Sequence, residues 1–271
     1  MYNKKLNDAW LSKLRERCKG KRVLILGNSI SLFDKQKKLG ELIDSYDVVV
    51  RFGRGFPHEK AREYLGSKTD VWCFGNLRAS SFHLWKDVPF KMLNFLQIYF
   101  YKKSPTVMDC LLVPKLFMQE DFQLYRDYFL FGSLKRQQSI VAHAFDDQQL
   151  NVEKRISQGV FTTFFFAMLT QASKVDLAGF DSMSHFVEYE WRGNLKSASS
   201  WHIPIPKDNG RFVNVHDHDS DKYVLNKLLN QNKIEIIQPN VEIDLDMELL
   251  TEITKDNTLG KITKLKYSGK I

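Results

Sequence analysis

Six short apolar runs constrain the fold of this 271-residue chain more than any other feature. Because the residues of each run are apolar at successive positions, both faces of a strand formed there would be buried. Strands of this kind belong in a parallel sheet that helices cover on both faces. The runs are "RVLIL" (22–26), "YDVVVRF" (46–52), "TDVWCF" (69–74), "KMLNFL" (91–96), "KVDLAGF" (174–180) and "KIEIIQ" (233–238).

Helix-compatible segments separate these runs, and the alternation predicts one α/β domain with a mainly parallel sheet. The predicted helices are "SLFDKQKKLGELI" (31–43), "QGVFTTFFFAMLTQA" (158–172) and "DKYVLNKLLNQN" (221–232). Residues 97–150 are predicted to form an irregular, aromatic-rich insertion or a helical lid. Residues 241–271 are expected to be a C-terminal extension.

The charge of the chain is concentrated at its beginning. The formal net charge is +8, and residues 1–22 hold eight Lys or Arg against Asp8 and Glu16, which is 8 − 2 = +6. Leu6, Trp10 and Leu14 recur at every fourth position, as on one face of an amphipathic helix. This basic helix either packs its apolar stripe on the domain or contacts phosphates of nucleic acid or anionic lipid.

Cysteine usage and hydropathy favour a cytoplasmic protein, peripheral to a membrane or to DNA if the basic helix binds phosphates. The segment "VFTTFFFAML" (160–169) is too short to span a bilayer, and no apolar signal segment opens the chain. Cys18, Cys73 and Cys110 form no CxxC pair, so reduced thiols are expected, with neither disulfides nor a zinc site.

Three polar turns are predicted to lie at the carboxyl ends of the strands, where a parallel sheet binds its ligands. They are Gly27-Asn28-Ser29, Arg51-Phe52-Gly53-Arg54 and Arg155-Ile156-Ser157-Gln158-Gly159. The first turn has too few glycines for a dinucleotide fingerprint and lacks the P-loop lysine. Each turn also has a structural alternative, since the serines and Asn28 can cap helices and Arg51 can form a salt bridge. Together they predict a nucleotide phosphate site without a Walker lysine.

The order of these motifs resembles that of the sialyltransferases. The segments "VLILGNSISL", "DSYDVVVRFGRG" and "LGSKTDVW" resemble the large sialylmotif, and "RISQGVFTTFFFAMLTQASKVDLAGFD" resembles the small one. "HDHDSD" (216–221) supplies the His-x4-acid pattern that follows them. The resemblance implies a single Rossmann-like catalytic domain over residues 20–240, a variant of the GT-A type. It also implies inverting transfer from CMP-sialic acid, without a metal ion or other cofactor.

The resemblance assigns a role to each matching position. The donor would be held by Gly27, Asn28, Ser29, Arg51, Arg155, Ser157, Gln158, Gly159, Asp181 and Tyr189, with Tyr189 on the leaving phosphate. Asn28 would hold the donor phosphate or ribose. His216 would be the general base, for which a reference pKa of about 6.5 is suitable. Asp221 would cap the following helix and steady the loop that carries His216.

Two departures from the family pattern leave the donor open. Gly53 replaces the asparagine that usually follows the second strand, and Met183 replaces a tyrosine of the bacterial enzymes. The nucleotide site is therefore expected to be kept while the sugar or base contacts differ.

The "HDHDSD" segment has three interpretations. His216 can be the base, with His218 as its rival on a strand-like stretch. Asp217 and Asp219 can instead bind a metal, as in the DxD motif of metal-dependent glycosyltransferases. The segment can also be an acidic loop that caps a helix.

The functional hypotheses that follow belong to two classes. The first is a glycosyltransferase whose acceptor is a glycan, such as a lipooligosaccharide at a membrane face. A variant of it is a phage-type enzyme that transfers from a UDP-sugar to a hydroxymethylated DNA base. The second class is a non-catalytic Rossmann module that binds nucleotides or nucleic acid. Hydrolysis distinguishes the two classes: an enzyme should slowly release the nucleotide from one nucleotide sugar, whereas a binding module should release none. The sequence does not indicate an oligomeric state.

Overall fold

A seven-stranded parallel sheet forms the centre of the chain. The computed structural model describes residues 11–12, 14–52, 59–74, 106–109, 128–130, 140–145, 156–181, 185–191, 194–198, 218–237, 242–255 and 261–267. The strands of the sheet are β1 (Arg22–Leu26), β2 (Val48–Phe52), β3 (Val71–Phe74), β4 (Thr106–Asp109), β5 (Tyr128–Leu130), β6 (Lys174–Ala178) and β9 (Ile234–Ile237). Their order is β5-β4-β3-β2-β1-β6-β9, and every neighbouring pair is parallel.

The helices lie on both faces of this sheet. They include the 3-10 helices η1 (Ile30–Phe33) and η2 (Glu59–Ala61), and the α-helices α1 (Gly40–Asp44), α2 (Arg62–Leu65), α3 (Gln158–Leu169), α4 (His218–Asn230) and α5 (Met247–Lys255). In β1, Val23 and Ile25 belong to the core cluster that includes α3 and α4. Leu24 and Leu26 belong to the opposite cluster, with η1, α1, α2 and α5. Because both faces of β1 are buried, its apolar residues are consecutive rather than alternating.

The predicted α/β fold with a mainly parallel sheet is confirmed. Five of the six apolar runs contain β1, β2, β3, β6 and β9, while "KMLNFL" (91–96) lies outside the described residues. The helices predicted near 158–172 and 221–232 correspond to α3 and α4, although α4 begins three residues earlier, at His218. His218 is therefore helical, and the strand-like stretch expected there is wrong.

The single helix predicted over residues 31–43 is replaced by η1 and α1, with a turn between them. After η1, the chain pairs with a distant segment instead of continuing the helix. The backbone N–H of Lys35 donates to the carbonyl of Asp244 at 2.8 Å, and the N–H of Asp246 donates to Phe33 at 2.9 Å. The buried Asp34 carboxylate accepts from the N–H groups of Gln36 and Asp244.

Two segments expected to be peripheral contribute to the sheets and the core. Within residues 97–150, β4 and β5 extend the parallel sheet. Within residues 241–271, Leu245, Leu250 and Ile253 are buried in the core cluster of η1 and α1. The hydroxyl of Tyr64 donates to Asp246 at 2.9 Å. The C-terminal segment is therefore part of the fold rather than an extension of it.

A three-stranded antiparallel sheet accompanies the large one, and the sequence did not predict it. Its strands are β7 (His185–Trp191), β8 (Asn194–Ala198) and β10 (Lys261–Tyr267), in the order β10-β7-β8. β7 contacts η1, so this sheet lies against the element that follows the first polar turn. β10 again brings C-terminal residues into the fold.

The described end of the basic N-terminal segment packs on the domain. Residues 14–18 are helical, and Leu14 and Cys18 are buried in the core cluster of α3 and α4. Arg15 donates from Nε to the carbonyl of Leu169 at 2.7 Å, and Arg17 pairs with Asp70. Burial raises the pKa of the Cys18 thiol to about 11. The described residue of the apolar stripe, Leu14, therefore packs on the domain, as the first of the two interpretations predicted.

A buried polar pair links Tyr46, which precedes β2, to Asp176 in the middle of β6. The hydroxyl of Tyr46 donates to the carboxylate of Asp176 at 2.6 Å, and both residues are buried. Burial, together with the neighbouring carboxylate, raises the pKa of Tyr46 to about 12. The guanidinium of Arg22 lies 4.5 Å from the centre of the Tyr46 ring.

None of the described helices is long and apolar enough to cross a membrane.

We expect Leu14→Ala to lower the free energy of unfolding by about 2–5 kcal/mol, because it leaves a cavity beside α3. Leu42→Ala is the matched control, since Leu42 is 39% exposed whereas Leu14 is 2% exposed. Urea unfolding followed by circular dichroism measures both variants. Equal losses would contradict the packing of the basic segment on the core.

Candidate functional site

The strand order reverses at β1, and this topological switch point defines the candidate site. From β1 the chain proceeds through β2 to β5 on one side, and it returns at β6 on the other side of β1. The elements between β1 and β2 pack on one face of the sheet, and α3, which precedes β6, packs on the other. In open α/β sheets, ligands bind at such a point, outside the carboxyl ends of the strands.

The turns after β1 and β6 touch each other through their backbones. The N–H of Gly27 donates to the carbonyl of Ala178 at 2.8 Å. A Cβ atom at position 27 would lie 2.2 Å from the carbonyl oxygen of Gly179. No side chain fits that space, so Gly27 is required by the close approach of the two turns. The structure gives Gly27 this packing role, and its place in the donor site stays a prediction.

Asn28 has a side-chain oxygen without a partner at this switch point. Its Oδ1 atom is buried and makes no hydrogen bond among the described residues. Leaving a buried polar atom unpaired costs about 1–3 kcal/mol, and such atoms in native proteins call for an explanation. A hydrogen bond donated by a ligand bound at the switch point is one explanation.

Ser29 joins the two turns through its hydroxyl. Its Oγ donates to Oδ2 of Asp181 at 2.5 Å and accepts from the N–H of Ser31 at 3.1 Å, which caps η1. Ser31 Oγ lies 2.8 Å from Ser29 Oγ. Ser29 therefore caps a helix, which was the structural alternative to a role in ligand binding. It also orients Asp181 in the turn after β6. The structure brings these two predicted site residues together.

The start of α3 lies against Phe180, in the turn after β6. Ser157 is the N-cap of α3, and its Oγ accepts from the N–H of Val160 at 3.3 Å. A Cβ atom at position 159 would lie 2.8 Å from Cε1 of Phe180. Gly159 therefore leaves room for the Phe180 ring. No motif in the sequence singled out Phe180, and its one signal is an aromatic residue directly after the glycine that follows β6.

Asp221 lies in the first turn of α4 and is buried. Its Oδ1 accepts a hydrogen bond from the backbone N–H of Ser157 at 2.7 Å. From its place in the sequence, Asp221 was predicted to cap the helix at its own start. The structure instead shows it four residues into α4 and bonded to the N-cap residue of α3, so it links two helices.

Arg51 is directed to the backbone of the domain. It is 1% exposed and donates from Nε to the carbonyl of Lys68 at 2.9 Å and from a terminal nitrogen to that of Leu65 at 2.5 Å. These bonds fasten the end of α2 and the loop after it to β2. The donor-binding role predicted for Arg51 has no support in these contacts.

Other predicted site residues are only partly placed. His216 and Arg155 lie outside the described residues, and Tyr189 lies in β7, opposite Lys196 and Ile262. The part of the chain that the structure describes contains no group of three or more His, Cys, Asp or Glu residues that could hold a metal ion. The roles of these residues stay predictions.

The fold and the site together define an α/β protein of the doubly wound class, in which the ligand crevice is expected outside the strand ends at the topological switch point. Neither a family model nor a curated protein sequence matches the chain. Solved structures similar to it include a mammalian sialyltransferase, with a TM-score of 0.44 and 15% identity over 89% of this chain and 87% of that one.

Two Campylobacter jejuni enzymes are also similar. The sialyltransferase CstII in complex with the substrate analogue CMP-3FNeuAc has a TM-score of 0.49 and 17% identity, over 92% of each chain. An α-2,3-sialyltransferase in apo form has a TM-score of 0.47 and 16% identity, over 93% of this chain and 87% of that one. At these TM-scores the similarity carries no weight for function, which depends on the residues of the site.

Proposed function

We propose that this chain is an inverting, metal-independent glycosyltransferase. It moves a sugar from a nucleotide-sugar donor to an acceptor hydroxyl, and CMP-sialic acid is the donor that the sialylmotif resemblance favours. The unpartnered Oδ1 of Asn28 at the switch point carries this proposal. Two of the segments that resemble the sialylmotifs, 23–32 and 155–181, contain the turns after β1 and β6 and the start of α3.

The contacts of the crevice suit a nucleotide sugar better than a free phosphate. Asn28 Oδ1 and the Asp181 carboxylate are hydrogen-bond acceptors, and the hydroxyl groups of a ribose or a sugar are donors. The start of α3 supplies N–H groups and a helix dipole that favour an anion, such as the donor phosphate. Ser157, Gln158 and Gly159 are the residues we assign to it, with Arg155 and Tyr189 completing the donor site.

His216 is the proposed general base, which takes the proton of the acceptor hydroxyl as that oxygen attacks the anomeric carbon. The bond between this carbon and the nucleotide phosphate breaks as the new glycosidic bond forms, so the anomeric configuration inverts. A neutral imidazole near its reference pKa of about 6.5 is suited to this step.

We expect Asn28→Ala to weaken donor binding about tenfold, because it removes a buried hydrogen bond to the ligand. A thermal-shift panel of CMP-, UDP- and GDP-sugars identifies the donor first. At a hundred times its dissociation constant, the right one stabilises the protein by about 2.7 kcal/mol. Ser45→Ala is a control on an exposed residue between α1 and β2. Unchanged donor affinity in the Asn28→Ala variant would contradict the proposed donor site. A protein that releases nucleotide from none of the nucleotide sugars would support the non-catalytic module.

We expect His216→Ala to keep the fold and donor affinity but to lose at least about a hundredfold in transfer, since a positioned base contributes 10²–10⁴-fold. His218→Ala, its neighbour in the same segment, should lose much less, and EDTA should leave transfer largely intact. Initial rates of transfer measure all three. If EDTA abolishes transfer, or if His218 is the critical residue, the segment binds a metal and the base mechanism is wrong.

The basic N-terminal segment is proposed to bind a polyanionic acceptor, either a lipooligosaccharide at a membrane face or DNA. Its described end does not reach the crevice: Lys19 and Lys21 are exposed and precede β1. The five residues of β1 separate Lys21 from the turn by ~17 Å at about 3.3 Å per residue. Deleting residues 1–18 would also remove Leu14 and Cys18 from the core, so substitutions test the proposal better.

We expect replacement of both Lys4 and Lys5 by Gln to spare donor hydrolysis but to weaken transfer to a polyanionic acceptor. The loss should be greatest at low salt, because screening removes the attraction at higher ionic strength. The matched control replaces Lys19 and Lys21 by Gln. Transfer rates to lipooligosaccharide and to hydroxymethylated DNA, measured across a salt series, distinguish the two acceptors. Equal effects of the two pairs, or none, would contradict an acceptor role for the beginning of the segment.

A further inference from the structure

We infer that Asp221 is a positioning residue for the donor site, which it affects through the backbone of Ser157 rather than by touching the donor. This inference rests on the proposed function for its consequence, although the contact itself is a feature of the fold. Asp221 is 8% exposed, and its Oδ1 lies 2.7 Å from the N–H of Ser157, a residue 64 positions away in sequence.

The start of α3 depends on this contact because the first N–H groups of a helix have no partners within the helix. Ser157 Oγ supplies one partner, for the N–H of Val160. Asp221 supplies another, for the N–H of Ser157 itself. With both bonds made, the N-cap residue is held from its side chain and from its backbone. The N–H groups next along the helix are those of Gln158 and Gly159, which the proposed function assigns to the donor.

The contact also joins α4 to α3 at the end nearest the crevice. The two helices pack against each other, with Val224 and Leu228 of α4 in the same core cluster as Phe161 and Phe164 of α3. That apolar packing can fix the distance between the helices, but it does not specify where the first turn of α3 points. A hydrogen bond to a charged acceptor is directional and stronger than one between neutral groups. Asp221 therefore orients the donor-binding turn.

The charge of Asp221 and its hydrogen bond to Ser157 predict opposite effects on donor binding. A carboxylate at the start of α3 repels a donor phosphate, so Asp221 would weaken donor binding if its charge were all that mattered. A positioning role predicts instead that loss of its oxygen weakens binding. Asp221→Asn separates the two, because it keeps an oxygen that can accept from Ser157 and removes the charge.

The experiment compares Asp221→Ala, Asp221→Asn and the control Asp219→Asn, an exposed neighbour in the same helical turn. We expect Asp221→Ala to raise the KM for donor hydrolysis about tenfold with little change in kcat. Asp221→Asn should stay within about threefold of the original KM, and Asp219→Asn should not differ from it. An unchanged KM in Asp221→Ala, or an equal rise in Asp221→Asn, would overturn the inference.

Substitutions at Ser157 provide a second test that does not change Asp221. The φ of Ser157 is −64°, which proline adopts without strain. Ser157→Pro and Ser157→Ala both lose the capping hydroxyl, but only the proline lacks the N–H that Asp221 accepts from. We expect the proline variant to have the higher KM, and adding Asp221→Ala to it should change KM no further. Equal KM values for the two Ser157 variants would contradict the inference.

Amide hydrogen exchange decides the contact independently of catalysis. Exchange in a peptide covering residues 156–161 should accelerate in Asp221→Ala but not in Asp219→Asn, because the start of α3 opens more often without its second partner. Unchanged exchange there would overturn the positioning role even if the enzyme is active. A protein that shows this exchange pattern but hydrolyses no nucleotide sugar would retain the coupling and contradict the proposed function.

Discussion

The contact between the turns after β1 and β6 is the constraint on which the site depends. β1 and β6 pair in register over their full length, from Arg22 opposite Lys174 to Leu26 opposite Ala178. The pairing continues into the turns, where Gly27 donates to the carbonyl of Ala178. Because no Cβ fits at position 27, the two loops leave the sheet side by side. Asn28 and Asp181 therefore lie on adjacent turns at one edge of the sheet.

α3 is the second fixed element of the site, and distant parts of the chain hold both its ends. Its N-cap residue Ser157 donates to Asp221 of α4, and the carbonyl of its last residue, Leu169, accepts from Arg15 of the N-terminal segment. Between these ends, Phe161, Phe164, Phe165 and Phe166 are buried. A helix held in this way loses little further entropy when a ligand binds at its start, which favours affinity by pre-organisation.

Much of the architecture follows from local sequence. The apolar runs at 22–26 and 48–52 predict strands buried on both faces, since only a sheet covered on both sides hides residues at consecutive positions. The prediction of one helix over residues 31–43 failed because propensity is a weak local preference. The backbone of residues 33–35 pairs instead with residues 244–246, and those partners are more than two hundred positions away.

The sequence by itself determined that a sheet edge with polar turns exists and that Gly27, Asn28, Ser29 and Ser157 lie at its carboxyl side. The tertiary structure decided what each of them does. Ser29 binds Asp181, Gly159 accommodates Phe180, and Arg51 donates to the backbone carbonyls of Lys68 and Leu65. The physical reason is that strand formation depends on nearby apolar residues. A polar side chain, in contrast, takes whichever donor or acceptor the packing of distant elements brings within about 3 Å.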